Sequence, residues 1–112
     1  VLHLTDRYSP ITAQLADRSG MIISPTQVAK VGSNFGADPV CVGPFTFSNR
    51  VAGNSITLTK SKYFFDAKNV NIGTVVFKVV PDGTVRAALL RSGYVGVAIS
   101  PAGPDLLALR AT

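Results

Sequence analysis

The stretch that most constrains this chain runs from Thr74 to Leu109, where a strand-like run gives way to helical spacing, and then does so again. Val75, Val76, Phe77, Val79 and Val80 are β-branched or aromatic, the residues that suit a pleated surface. With no polar alternation they read as a strand buried on both faces. Pro81 ends the run, and Asp82 is placed to cap a helix over Gly83 to Arg91 with Val85, Ala88 and Leu89 on one face. Ser92-Gly93 stops that helix, and Val95-Gly96-Val97-Ala98-Ile99 reads as a second buried strand. Ser100 to Gly103 is a loop. Pro104 then opens a last helix carrying Asp105, Leu106 and Leu109. Strand, helix, strand, helix with short links predicts parallel strands and a right-handed crossover. Ligands of such units sit beyond the carboxyl ends of the strands, which here means Pro81-Asp82 and Ser100-Pro101.

The preceding residues are organised differently. Val1 to Thr5 alternates like a strand, and Asp6 to Pro10 is a turn. Ser9-Pro10 predicts a helix start, with Ile11, Leu15 and Arg18 at helical spacing and Gly20 as its stop. Met21-Ile22-Ile23 reads as a short strand. Ser24-Pro25 repeats the cap-plus-proline start before Val28 and Val31, and Gly32 ends that helix. Ser33 to Pro39 is a loop. Gly43-Pro44 bends the chain into a strand bearing Phe45 and Phe47 on one face. Ala52-Gly53-Asn54 is a hairpin turn, and Ile56-Thr57-Leu58-Thr59 alternates as the returning strand. The whole reads as a mixed α/β chain with a β-hairpin and a βαβα unit.

At 112 residues with 46% hydrophobic content, the chain has enough apolar material for a core and is not disordered. No apolar run approaches the roughly 20 residues that span a bilayer, and no signal peptide is visible. Both ends read as cut from a longer protein. The net charge of +5 comes from scattered basic residues. Lys60, Lys62 and Lys68 lie beside Tyr63, Phe64 and Phe65, a composition that can stack bases. A solvated turn next to core aromatics accounts for it more simply, and no nucleic-acid partner is expected.

Chemistry is sparse. Cys41 is the single cysteine and His3 the single histidine, so no intrachain disulfide, metal site or Cys/His pair is expected. Cys41 reads as a small apolar strand residue. The six acids are all aspartates. Asp82 and Asp105 sit at helix starts and Asp38 precedes a proline, so structural roles explain three of them. Ser92-Gly93-Tyr94-Val95-Gly96 runs from helix into strand, the reverse of a phosphate loop. No cofactor is implied. Two alternatives remain open from the residues alone: a small enzyme domain with a cleft near Asp82 and Ser100, or a basic nucleic-acid module at Lys60 to Phe65.

Four ordered segments carry a family resemblance. They are Leu15-Ala16-Asp17-Arg18-Ser19-Gly20-Met21-Ile22-Ile23-Ser24-Pro25, Asp38-Pro39-Val40-Cys41-Val42-Gly43-Pro44-Phe45, Val75-Val76-Phe77-Lys78-Val79-Val80-Pro81-Asp82 with Arg86, and Ala88-Leu89-Leu90-Arg91-Ser92-Gly93-Tyr94-Val95-Gly96-Val97. In this order they resemble the family 5 extracytoplasmic solute-binding proteins, the oligopeptide-, dipeptide- and nickel-binding class of ABC importer subunits. The chain departs from that pattern at Cys41-Val42, at Lys60 to Phe64, and at Tyr94 and Gly96. The resemblance implies a two-lobed protein that closes on its ligand like a hinge. Residues 1–38 would end an extra subdomain, and residues 39–112 would form part of the first lobe. It implies a peptide or similar small solute as ligand and the membrane subunits of an ABC importer as partners. It further implies a location in the periplasm or at the cell surface, with membrane contact only through a lipid anchor outside this chain. The loop Ile99, Ser100 and Pro101 would line the solute pocket, although an ordinary strand-to-helix turn reads equally well there. Excising one lobe exposes strand edges, so self-association of the piece is also expected.

Overall fold

The computed structural model describes residues 3–17, 20–101 and 103–109. In chain order the elements are α1 (Ile11–Leu15), α2 (Pro25–Val31), a 3-10 turn (Gly32–Ala37), β1 (Phe45–Val51), β2 (Ser55–Lys60), a second 3-10 turn (Ala67–Asn69), β3 (Thr74–Lys78), α3 (Gly83–Arg91) and α4 (Gly103–Leu109). The strands form one three-stranded sheet in the order β1-β2-β3. The Lys60 amide donates to the Gly73 carbonyl (2.8 Å) and the Val79 amide to the Asn54 carbonyl (2.7 Å). The end of β2 thus meets the start of β3, and the sheet is antiparallel.

Local chemistry explains why the elements begin and end where they do. Ser24 Oγ accepts from the Gln27 amide (3.2 Å), with Pro25 opening α2. Asp82 Oδ1 accepts from the Val85 amide (2.9 Å) and caps α3. At the β1–β2 turn, the Asn54 amide donates to the Val51 carbonyl (3.0 Å), and Gly53 takes φ +68°, a region that costs other L-residues dearly. Gly93 plays the same part after α3, at φ +72°. There the amides of Tyr94 and Val95 turn back onto the Leu89 carbonyl, at 3.1 and 3.3 Å.

The chain divides into two compact units, Val1–Arg50 with Ile56–Val76, and Val51–Ser55 with Phe77–Thr112. Within the first, α2 runs into its 3-10 turn, and an isolated antiparallel bridge pairs Ile23 with Cys41. Gln27 Nε2 donates to the Asp38 carbonyl (2.9 Å) and to Asp38 Oδ2 (2.7 Å). Ser61 is buried, its amide donating to the Pro44 carbonyl (2.9 Å) and its hydroxyl accepting from the Tyr63 amide (3.3 Å). Within the second unit, α3 packs against α4.

Burial is slight. Ala87 is the one fully buried apolar side chain among the described residues. The strands and caps are therefore in place without the apolar burial that usually accompanies them.

Several expectations are corrected. Residues 95–99 form no strand, so the parallel crossover is absent among the described residues. The Val95 amide is spent on the end of α3, and no backbone elsewhere in the described chain pairs with this run. β3 forms where expected but is not buried on both faces, because Val76 and Phe77 are exposed. It is an edge strand of this sheet. Met21-Ile22-Ile23 contributes only the Ile23 bridge, and Cys41 is an exposed free thiol rather than a strand-core residue. α1 ends at Leu15, and Pro10 rather than Ser9 occupies its cap position. Ser33 to Ala37 is part of a 3-10 turn rather than an open loop. His3 to Thr5 form no strand. Val1, Leu2 and Arg18 lie outside the described residues.

Candidate functional site

The two points singled out at the strand ends, Pro81-Asp82 and Ser100-Pro101, are joined by a single side chain. Arg86 lies on the first turn of α3, whose register is fixed by the Asp82 cap. Its Nη1 donates to the carbonyls of Val80 (2.6 Å) and Pro81 (2.8 Å), and its Nη2 donates to the carbonyl of Ser100 (2.6 Å). Guanidinium suits this task because its planar fork presents donors in fixed directions. The Nε of the same side chain is buried without an acceptor.

Of the residues expected to contact ligand, Ile99 stands 73% exposed, Ser100 is exposed, and Pro101 is half-buried. Ser100 has φ +51° and is the one non-glycine residue at positive φ among those described. Such conformations are uncommon outside glycine and cluster at functional sites. Asp82 gives one carboxylate oxygen to the α3 cap. Sequence reasoning named these positions but missed Arg86 as their link. Its only sequence signal was its place in the third family-like segment.

Close by in the same unit, Lys78 Nζ donates to the Tyr94 hydroxyl (2.6 Å). That hydrogen bond, followed by the lysine charge, lowers the pKa of the exposed Tyr94 phenol from its ordinary value.

The other candidate surfaces are less developed. Tyr63 and Phe65 are 82% and 91% exposed, so these aromatics are not the core residues expected beside a solvated turn. Lys62 Nζ lies 5.0 Å from the Tyr63 ring centroid, and the Phe64 and Phe65 rings are 4.5 Å apart. In the first unit a cleft of about 300 Å³ opens between the Asp38–Cys41 segment and the faces of Phe45, Phe47 and Leu58. Its lining is mostly apolar, and no sequence motif marks it. No cluster of three or more metal-ligating side chains occurs among the described residues. No described helix is long and apolar enough to cross a membrane.

Known proteins place this architecture. The chain is 29% identical over 86 residues to di/tripeptide-binding protein 1 of Pseudomonas aeruginosa. It is 27% identical over 86 residues to the glutathione-binding protein GsiB of Pectobacterium atrosepticum. These alignments cover 75% and 77% of this chain but only 16% and 17% of the relatives. Among solved structures, OppA of Burkholderia pseudomallei superposes with a TM-score of 0.59 at 23% identity, over 65% of this chain and 15% of that one. A periplasmic oligopeptide-binding protein of Borrelia burgdorferi, OppAIV, gives 0.57 at 20% identity, over 62% and 14%. Both share the fold of this segment. The model of the bacterial extracellular solute-binding proteins, family 5 Middle, matches residues 1–112, and the chain therefore belongs to that family.

Proposed function

We propose that this chain is a segment of an extracytoplasmic solute-binding subunit that captures peptides or similar small solutes for an ABC importer. The observation that carries this reading is the family match along the whole chain. The naming of relatives as di/tripeptide- and glutathione-binding proteins supports the solute class. The partners are then the membrane subunits of the importer. The protein works in the periplasm or at the cell surface, held by a lipid anchor outside this chain. Capture is by closure of two lobes on the solute, which requires no bond chemistry. Residues 1–38 end an extra subdomain, and residues 39–112 supply part of one lobe.

In this reading Ile99, Ser100 and Pro101 form part of the solute wall. The loop offers an apolar side chain, a hydroxyl and main-chain groups, the mixture that orients a peptide backbone in a mostly apolar pocket. One wall cannot enclose a ligand, so the rest of the site lies in the remainder of a longer protein. The slight burial seen here supports that placement: apolar residues such as Val97 and Ile99 then face protein or solute instead of water.

The test is Ile99→Glu in the longer protein. The melting temperature is followed in parallel, so that a loss of fold is told apart from a loss of binding. Binding of trialanine, measured by calorimetry, should weaken by about tenfold or more, equivalent to at least ~1.4 kcal/mol. Unchanged affinity with an unchanged melting temperature would remove this loop from the site.

A further inference from the structure

We infer that Arg86 is a positioning residue of the solute site, holding the Ile99–Ser100–Pro101 loop in its binding conformation through a guanidinium fork on three backbone carbonyls. The inference rests on the reading that this loop lines the solute pocket. It is carried by geometry: one side chain reaches Val80 and Pro81 at the exit of β3 and Ser100 fourteen residues along the chain. Ser100 holds φ +51°, which a serine seldom adopts unless its surroundings determine it. Its carbonyl is gripped at 2.6 Å by Arg86 Nη2. No strand pairing holds residues 95–101 among the described elements. Leu90 and Leu89 accept from Gly93, Tyr94 and Val95 at the near end of the run, and at the far end Arg86 grips Ser100 just before α4, which packs on α3. Reaching these carbonyls leaves Nε buried without an acceptor.

Arg86 contacts no solute in this account. Lysine could keep the charge, but its single ammonium cannot span the same three acceptors in fixed directions. That difference separates positioning from charge.

The experiment uses the longer protein with Arg86→Lys and Arg86→Met. Amide hydrogen exchange is followed at Ser100, whose carbonyl Arg86 holds, with α3 amides as the internal reference. Affinity for an alanine series from dialanine to pentaalanine is measured in parallel. Both variants should speed exchange of the Ser100 amide relative to α3, and peptide affinity should fall about tenfold. Loop exchange unchanged in both variants overturns the clamp. A lysine variant with wild-type exchange and affinity overturns the fork and leaves only a charge. Faster loop exchange with unchanged affinity overturns the positioning role by removing the loop from the site. A wild type that binds no peptide of the series overturns the peptide reading, and exchange alone then judges the clamp. Should Arg86→Met fail to fold, Arg86→Lys carries the same comparison.

Discussion

The β1–β2 hairpin and the run from Val95 to Ile99 are both strand-like in sequence, yet only the hairpin is a strand pair. The hairpin carries its own instructions. Gly53 supplies the positive φ that the turn needs, and the alternation of Ile56 to Thr59 meets a partner strand a few residues away. The run at 95–99 has β-branched residues and no partner strand among the described residues, and its Val97 stands 79% exposed. Turn and cap chemistry is local and completes itself, whereas strand pairing is a relation between two segments. A piece of a chain can satisfy the first and lack the second.

Hydrogen exchange at Val97, Ala98 and Ile99, measured in the 112-residue chain and in the longer protein, separates the two regions most strongly. If pairing is supplied from outside, protection of these amides should rise by on the order of a thousandfold in the longer protein, while the hairpin changes little. Equal exchange in both would mean that the run is a true loop. Next in size is Gly53→Val, which forces a β-branched residue to φ +68° and should cost about 1–2 kcal/mol. Denaturant unfolding measures it, and a smaller loss would mean that the turn has relaxed to another type. Asp82→Ala removes the α3 cap and should cost about 1 kcal/mol, with Asp82→Asn losing much less. A loss from alanine no larger than from asparagine would deny the cap its role. The smallest effect concerns Lys78→Met. Tyr94 titrates below its ordinary value because the Lys78 hydrogen bond, and then its charge, favour the phenolate. Tyrosinate absorbance should therefore move to higher pH in the variant. In linkage terms, a lowered folded-state pKa adds stability above the unfolded value that fades as pH falls through the folded one. At an exposed phenol the titration shift, not stability, is the quantity to follow.

What could be read in the sequence follows the same division. Ser24-Pro25, Asp82 and Ala52-Gly53-Asn54 are short signals with local causes, and each marks the element it predicts. Burial was misread at Val76 and Phe77 because apolar content shows which residues seek cover, not whether this segment contains the cover. Cys41 and the Tyr63–Phe65 cluster were misjudged for that reason as well. Ser100-Pro101 follows from the order of strand-like and helical runs around it, and Ile99 as a pocket residue follows only from the family-like segments. Arg86 is marked in the sequence by its place in the third family-like segment, without any sign of what it holds. Its role depends on Ser100 returning to the exit of β3, a long-range fact that no local pattern encodes.

As proposed, this chain supplies one wall of a solute site that the rest of a longer protein closes. Calorimetric titration of trialanine into both proteins tests it most directly. The longer protein should bind saturably at one site, and the 112-residue chain should bind at least about a hundredfold more weakly, since most of a ligand's surface must be enclosed for tight binding. Tight stoichiometric binding by the short chain, or none by the longer protein, would contradict the account.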